Sequence, residues 1–356
     1  MLLRRPSNES VGRSVGTEVT VRGGGVDPHL PVSRGPISEA LLNLITEDWP
    51  VDLCVLPDLD GWSDHFEPIV DDDFQLALHI IYELSYRGFD GVDDRWEWDP
   101  GVLDLRAQLE ECFEASVRSL VASTNLIEQA QSVRDVLGRF NGPSLSRHMD
   151  SNGSLDEFRE FAIHRSAYQL KEADPHSWGI PRFTGPRKAA LVEIQADEYG
   201  KGRPGEAHAD LFGGLMSSLD LDHAYGTYLD QIPGVTLATG NLISLLGTQR
   251  RLRGALLGHL AAFELTSVGP MTRYLSAAIR LGLDAPVRRF YEVHIDVDQD
   301  HGEPAADVAV GGDTDADGFD QADIAFGAAA LLLVEDLFAR HLLHAWAHER
   351  SSLLEV

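Results

Sequence analysis

The chain has 356 residues, 43% of them hydrophobic, with 57 acidic against 29 basic side chains and a formal net charge of −28. That length supports a sizeable core, in one large domain or two small ones, and so acidic a surface repels nucleic acid and anionic membrane. Cys54 and Cys112 make neither a disulfide framework nor a CxxC site. No apolar run reaches signal-peptide or membrane-span length, so a reducing cytosol is the expected compartment.

Residues 1–34, rich in Ser, Gly, Arg and Val, are expected to form a mobile arm. From Pro36 onward helical periodicity dominates. It predicts helices over 37–48, 72–88, 101–121, 124–139, 154–173, 186–199, 206–219, 240–266, 268–282, 286–301 and 322–349. Residues 51–56 carry a weak signal for a strand or a buried extended link. The polar stretch 142–153, with Pro143, Asn152 and Gly153, is expected to divide an N-terminal helical region, 35–150, from a core domain, 151–356. Residues 309–320 read as a Gly/Asp-rich surface loop. Asp313, Asp315 and Asp317 within it open like a calcium loop, but its twelfth position is Ile324, so the bidentate carboxylate is missing.

The helix predicted over 286–301 is unusual. At about 100° per residue, Val287, Phe290, His294, Val297, Asp298 and His301 share one stripe, with Arg288, Arg289, Glu292, Asp296 and Gln299 opposite. Three ionisable side chains therefore occupy the apolar face of a helix that has a solvated face elsewhere. Burying them without partners is costly, and a shared cation removes that cost. For any one residue alone, a hydrogen-bonded core histidine is the plainer reading.

Other inward carboxylates and histidines could meet this helix. Glu172 aligns with Phe158, Phe161 and Tyr168; Glu198 with Leu191 and Ile194; Glu264 with Leu257 and Leu260. Glu193 points away. His208 follows Glu198 across Gly200–Gly205, a break able to re-aim it. Core carboxylates paired with Arg165 or Arg253 are the alternative. Carboxylate and imidazole donors without thiolates suit iron or manganese, and two ions rather than one. His341, His344 and His348 share a face of the last helix and read as partly exposed residues. No Glu-x-x-His occurs, which disfavours a ferritin-like bundle.

The ordered set Glu172, Glu198, His208, Glu264 and His294-x3-Asp298-x2-His301 resembles the heme-oxygenase-like diiron oxidases and oxygenases. The wording of Lys171–His176, Glu193–Gly200 and Gly258–Glu264 is similar to the iron-containing redox enzyme branch, over roughly residues 150–350. The resemblance implies an all-α, heme-oxygenase-like helical bundle with additional N-terminal helices. It also implies two Fe(II) ions, O2 as cosubstrate, and oxidation of a small amine, amino acid or fatty-acid-like molecule. His294, Asp298 and Glu264 would serve one iron and Glu172, His208 and His301 the other, with Glu198 bridging. Glu264, expected at a helix end, would be the mobile ligand. The competing expectation is a binding protein or transferase of the same fold without a diiron centre. A small-molecule substrate is the expected partner, with room for a homodimer and none for nucleic acid or membrane.

Overall fold

A computed structural model of the chain describes residues 28–49, 67–297, 303–311 and 319–355. Among these residues all regular structure is helical, and no helix is long and apolar enough to cross a membrane. The stretch 51–56 and the aspartates at 313–317 lie outside the described residues.

Helix starts follow local chemistry. Pro36 and Pro100 occupy the first turns of α1 (Pro36–Ile45) and α3 (Pro100–Ala122), where a missing N–H is harmless. Asp71, Ser132 and Ser144 accept backbone N–H bonds at the starts of α2 (Asp72–Glu83), α4 (Val133–Arg139) and α5 (Leu145–Ser151). Ser154 and Glu157 cap α6 (Leu155–Gln169) reciprocally. The remaining elements are α7 (Asp174–Ser177), α8 (Gly185–Glu198), α9 (His208–Ser218), α10 (Gly234–Thr248), α11 (Arg253–Arg280), α12 (Ala285–Val297), α13 (Glu303–Val310) and α14 (Gln321–Ala347).

Three expectations are corrected and one element is added. The stretch 142–153 contains α5, with Ser144 as cap and Leu145 and Met149 buried. The helix predicted over 124–139 is helical only from Val133. Residues 28–34 are not loose, since Val32 N–H donates to Asp230 Oδ1 at 2.8 Å and Arg34 Nη2 to the Leu229 carbonyl at 2.6 Å. Most consequentially, the helices predicted over 240–266 and 268–282 are cut differently. The chain breaks at Gln249–Leu252 and then runs through Pro270 without stopping. Pro270 deprives the Thr266 carbonyl of its helical donor. Thr266, Gly269 and Pro270 border a cavity at that point, and the Ser267 hydroxyl donates back to the Glu264 carbonyl at 2.9 Å.

Two apolar clusters organise the bundle. One joins α1–α4 to α10 and the first halves of α11 and α14. The other, rich in aromatics, joins α5, α6, α9 and α12 to the second halves of α11 and α14. Where α11 and α14 cross, their backbones touch. A Cβ at Gly258 would stand 1.9 Å from the Ile324 carbonyl oxygen, and one at Gly327 1.8 Å from that of Ala255, so neither position accepts a side chain.

A buried ion pair ties α2 to the chain beside Glu172. Lys171 Nζ and the Tyr225 hydroxyl both donate to Glu83 Oε2, at 2.8 and 2.7 Å, with only 3% and 1% of the Lys171 and Glu83 side chains exposed. Burial pushes the Glu83 carboxyl up, and Lys171 with His79 outweighs that effect, so it stays below its ordinary value. Glu83→Gln strands a buried ammonium and is expected to cost about 3–5 kcal/mol in urea unfolding followed by circular dichroism. The double change Glu83→Leu with Lys171→Met should recover most of that loss. An unchanged midpoint in Glu83→Gln would show that the pair contributes nothing.

Candidate metal centre

Three of the functional side chains here are set by a helix end or a turn. Helix α6 stops at Gln169, short of the predicted 173, and Glu172 sits in the turn that follows. The next residue, Ala173, adopts φ +74, a left-handed conformation costly for a side chain bearing a Cβ. Glu198 is the last residue of α8 and His208 the first of α9. Between them Gly200, Lys201, Gly202 and Gly205 all have positive φ. A Cβ on Gly200 would lie 2.4 Å from the Glu206 carbonyl carbon and 2.6 Å from the Ala207 nitrogen. The loop therefore closes on a bare Cα, and Glu198 Oε2 comes to 2.8 Å from His208 Nδ1. Glu193 is exposed, as its helix position implies.

His294 arrives from the interior of α12. Its Nδ1–H donates to the Phe290 carbonyl at 2.7 Å. That bond fixes the tautomer and turns Nε2 inward, as a backbone carbonyl does for a metal-bound histidine. Nε2 has no hydrogen bond among the described residues and lies 3.6 Å from Glu172 Oε2. The Gln169 amide, oriented to satisfy both groups, donates to the two Glu172 oxygens at 2.7 and 3.0 Å. The His208 and His294 rings are 3.9 Å apart.

Glu172, Glu198, His208 and His294 thus each present a donor atom, all within 4.8 Å of one another. Two donors each about 2.1 Å from one ion stand roughly 3.0 Å apart when adjacent in an octahedron, which is the spacing seen between Glu198 and His208. Burial pushes the Glu198 carboxyl up, and the imidazoles of His208, His294 and His176 outweigh it, so it stays below the ordinary carboxylate value. Two carboxylates and two imidazoles, convergent and buried except for a partly exposed Glu198, fit a hard-to-borderline divalent metal such as iron.

The other expected residues fare differently. Glu264 is buried but not among the four convergent donors. It shares with Glu172 and Glu198 an influence on Tyr168, whose hydroxyl is pushed well above its ordinary value by burial first and by those three carboxylates next. Glu264 does not end a helix: α11 continues to Arg280, so the freedom expected of a terminal ligand is absent. Asp298 and His301 lie outside the described residues. His294 lies with Glu172, Glu198 and His208 in one cluster, and the arrangement does not by itself assign these four to one ion or to two. Arg165, considered as a partner for these acids, instead pairs with Glu335 at 2.8 and 2.7 Å. His341 points to the Ser352 carbonyl, and His344 and His348 are exposed.

A buried histidine pair escaped the sequence reading. His176 Nε2 and His259 Nδ1 are 3.2 Å apart, both nearly inaccessible. His259 was legible, being the one polar residue in Gly254–Ala262. His176 sits in a short turn with no period to read.

Two outcomes follow. Gly200→Ala should force the 199–207 loop open, lower metal affinity at least about tenfold and cost roughly 1–3 kcal/mol of stability; wild-type metal titration in that variant would refute the role of the loop. Burial holds His79, His176 and His259 at about 3, against about 6.5 for an exposed imidazole. The unfolded chain takes up protons first as pH falls, so stability present above pH 6.5 drains away between about 6.5 and 3, by up to ~1.4 kcal/mol per pH unit for each histidine. Urea midpoints of metal-free protein between pH 7 and 5 should fall accordingly, and less steeply in His259→Gln. Equal slopes would show that His259 does not titrate in this way.

Comparison with known proteins places this geometry. A family model described as iron-containing redox enzyme matches residues 159–336, half of the chain. The span holds every residue of the convergent cluster, Glu264, and the positions of Asp298 and His301. No curated protein matches the chain. By that match, and with an all-helical architecture to carry it, the chain belongs to the iron-containing redox enzyme family, whose fold is heme-oxygenase-like.

Proposed function

We propose that the protein is a non-heme diiron oxidase or oxygenase that uses O2 to oxidise a small amine, amino acid or fatty-acid-like molecule. The observation that carries this reading is the convergence of Glu172, Glu198, His208 and His294 within 4.8 Å. Glu264, Asp298 and His301 complete a seven-residue set, on the strength of the ordered motif alone. Ferrous iron held there supplies the electrons for O2 reduction.

The chain's own residues do the rest. Phe290 holds the His294 ring through its carbonyl, and Gln169 steadies Glu172. Tyr168, with its hydroxyl pushed up by burial and the nearby carboxylates, keeps its proton and stays a neutral O–H in the cavity wall. A cavity of about 560 Å³ lies against Tyr168, Gln169 and Phe290, within the size range of small-molecule sites. Its aromatic walls, including Phe161, Phe212 and Phe263, exclude water from the reacting centre.

Anaerobic reconstitution should load about two Fe(II) per chain, as expected of a seven-donor carboxylate and imidazole set, and the loaded protein should consume O2. His294→Ala should keep the helical circular dichroism of the parent and lose iron, since one buried polar change costs only a few kcal/mol in so large a core. A chain that takes up no iron, or one that binds heme with a Soret band instead, sinks the proposal.

A further inference from the structure

The same cavity contains a cation that no carboxylate among the described residues answers. Arg273, on α11, is half-buried and borders the cavity. Its Nε donates to the Ser146 hydroxyl at 2.8 Å. Its two terminal nitrogens fold back over Gly269, 3.6 Å from where a Cβ would stand, and the missing side chain leaves them uncovered. Among the described residues they donate to nothing and have no carboxylate within ion-pair reach.

That isolation is unusual in this chain. Acidic side chains outnumber basic ones by 57 to 29, and partners are placed elsewhere: Arg106 with Glu110, Arg118 with Glu114, Arg165 with Glu335. Arginines without a carboxylate, such as Arg34, Arg182 and Arg280, donate to backbone carbonyls. Within the cavity wall Arg165 is cancelled by Glu335, and Asp336 by Arg340. Arg273 is the remaining uncompensated charge there, among the described residues. Beside it the buried Tyr274 and Tyr291 line the same space, and neither hydroxyl has a hydrogen-bond partner among the described residues. Arg165, Arg273 and Glu335 all act electrostatically on the Tyr274 hydroxyl, so these groups form one polar end of an otherwise aromatic chamber.

We infer that this cavity takes a monocarboxylate, its head group forked on Arg273 and its apolar body among the aromatic walls. One uncompensated positive charge suits a monoanion, and a planar guanidinium with two open N–H groups matches a planar carboxylate. The strongly acidic surface repels anions in general, so a local cation is needed to hold one. This inference rests on the diiron reading only in making the cavity occupant the molecule that is oxidised; the anchoring itself stands on Arg273.

The test uses metal-free full-length protein and two matched pairs of probes: 4-phenylbutanoate with 4-phenylbutan-1-ol, and decanoate with decan-1-ol. Calorimetry or intrinsic fluorescence should show at least one carboxylate binding about tenfold or more tighter than its alcohol, as a charge-assisted fork predicts. Arg273→Gln should erase that preference while leaving alcohol binding and iron uptake as in the parent. Arg273→Lys, which keeps the charge and loses the fork, should retain part of it, with carboxylate affinity lowered roughly threefold or more; this variant carries the test if the glutamine variant fails to fold. A chain in which neither carboxylate beats its alcohol, or in which the preference survives both substitutions, overturns the assignment. Carboxylate preference in a protein that takes up no iron would instead overturn the diiron reading and leave the anchor standing.

Discussion

Two carboxylates and two imidazoles forced to within 4.8 Å of one another inside an apolar bundle impose the constraint on which the rest of the structure depends. Left without a cation, such a cluster bears a heavy desolvation cost. The chain meets it with positions that ordinary helix geometry could not supply. Glu172 stands in a turn followed by a left-handed alanine, Glu198 and His208 face each other across a doubled-back loop, and only His294 projects from mid-helix. The surroundings are correspondingly stiff. Lys171, next to Glu172, is tethered to Glu83 on α2, and Gln169 and Phe290 hold their neighbours by hydrogen bonds. The N-terminal helices are thereby joined mechanically to the centre, although the family match begins only at residue 159.

What could be read from the sequence was whatever recurs with a period. The apolar stripe carrying His294 in α12, the inward placement of Glu198 and the outward placement of Glu193 follow from 3.6-residue geometry, and all three are seen. The Gly200–Gly205 break was also readable, because clustered glycines have few other uses. Residues that act through turns were not. His176, the bend at Glu172 and the Glu83–Lys171 pair depend on contacts between distant segments, which no local pattern encodes. The break itself was misplaced. The sequence suggests one between 266 and 268, yet packing carries α11 through that point and through Pro270, and with that the imagined helix end at Glu264 disappears.

The division of labour between the two apolar clusters also has a chemical sense. The cluster built from α1–α4, α10 and the first halves of α11 and α14 is mainly aliphatic and supplies mass and rigidity. The second, with Phe158, Phe161, Phe212, Phe290, Tyr291 and Phe338, surrounds the cavity. Aromatic rings make large, stiff walls with few rotatable bonds, suited to a chamber that must hold its shape when empty. Phe290 belongs to both tasks, since its ring packs on the wall while its carbonyl orients His294.

The backbone contact between Gly258 and Ile324 has a mechanical consequence. Packed helices ordinarily stand about 8–10 Å apart, a distance set by the side chains between them. With glycine on each at the crossing, α11 and α14 approach more closely, and a side chain added at either Gly258 or Gly327 would wedge apart the two helices that both apolar clusters share.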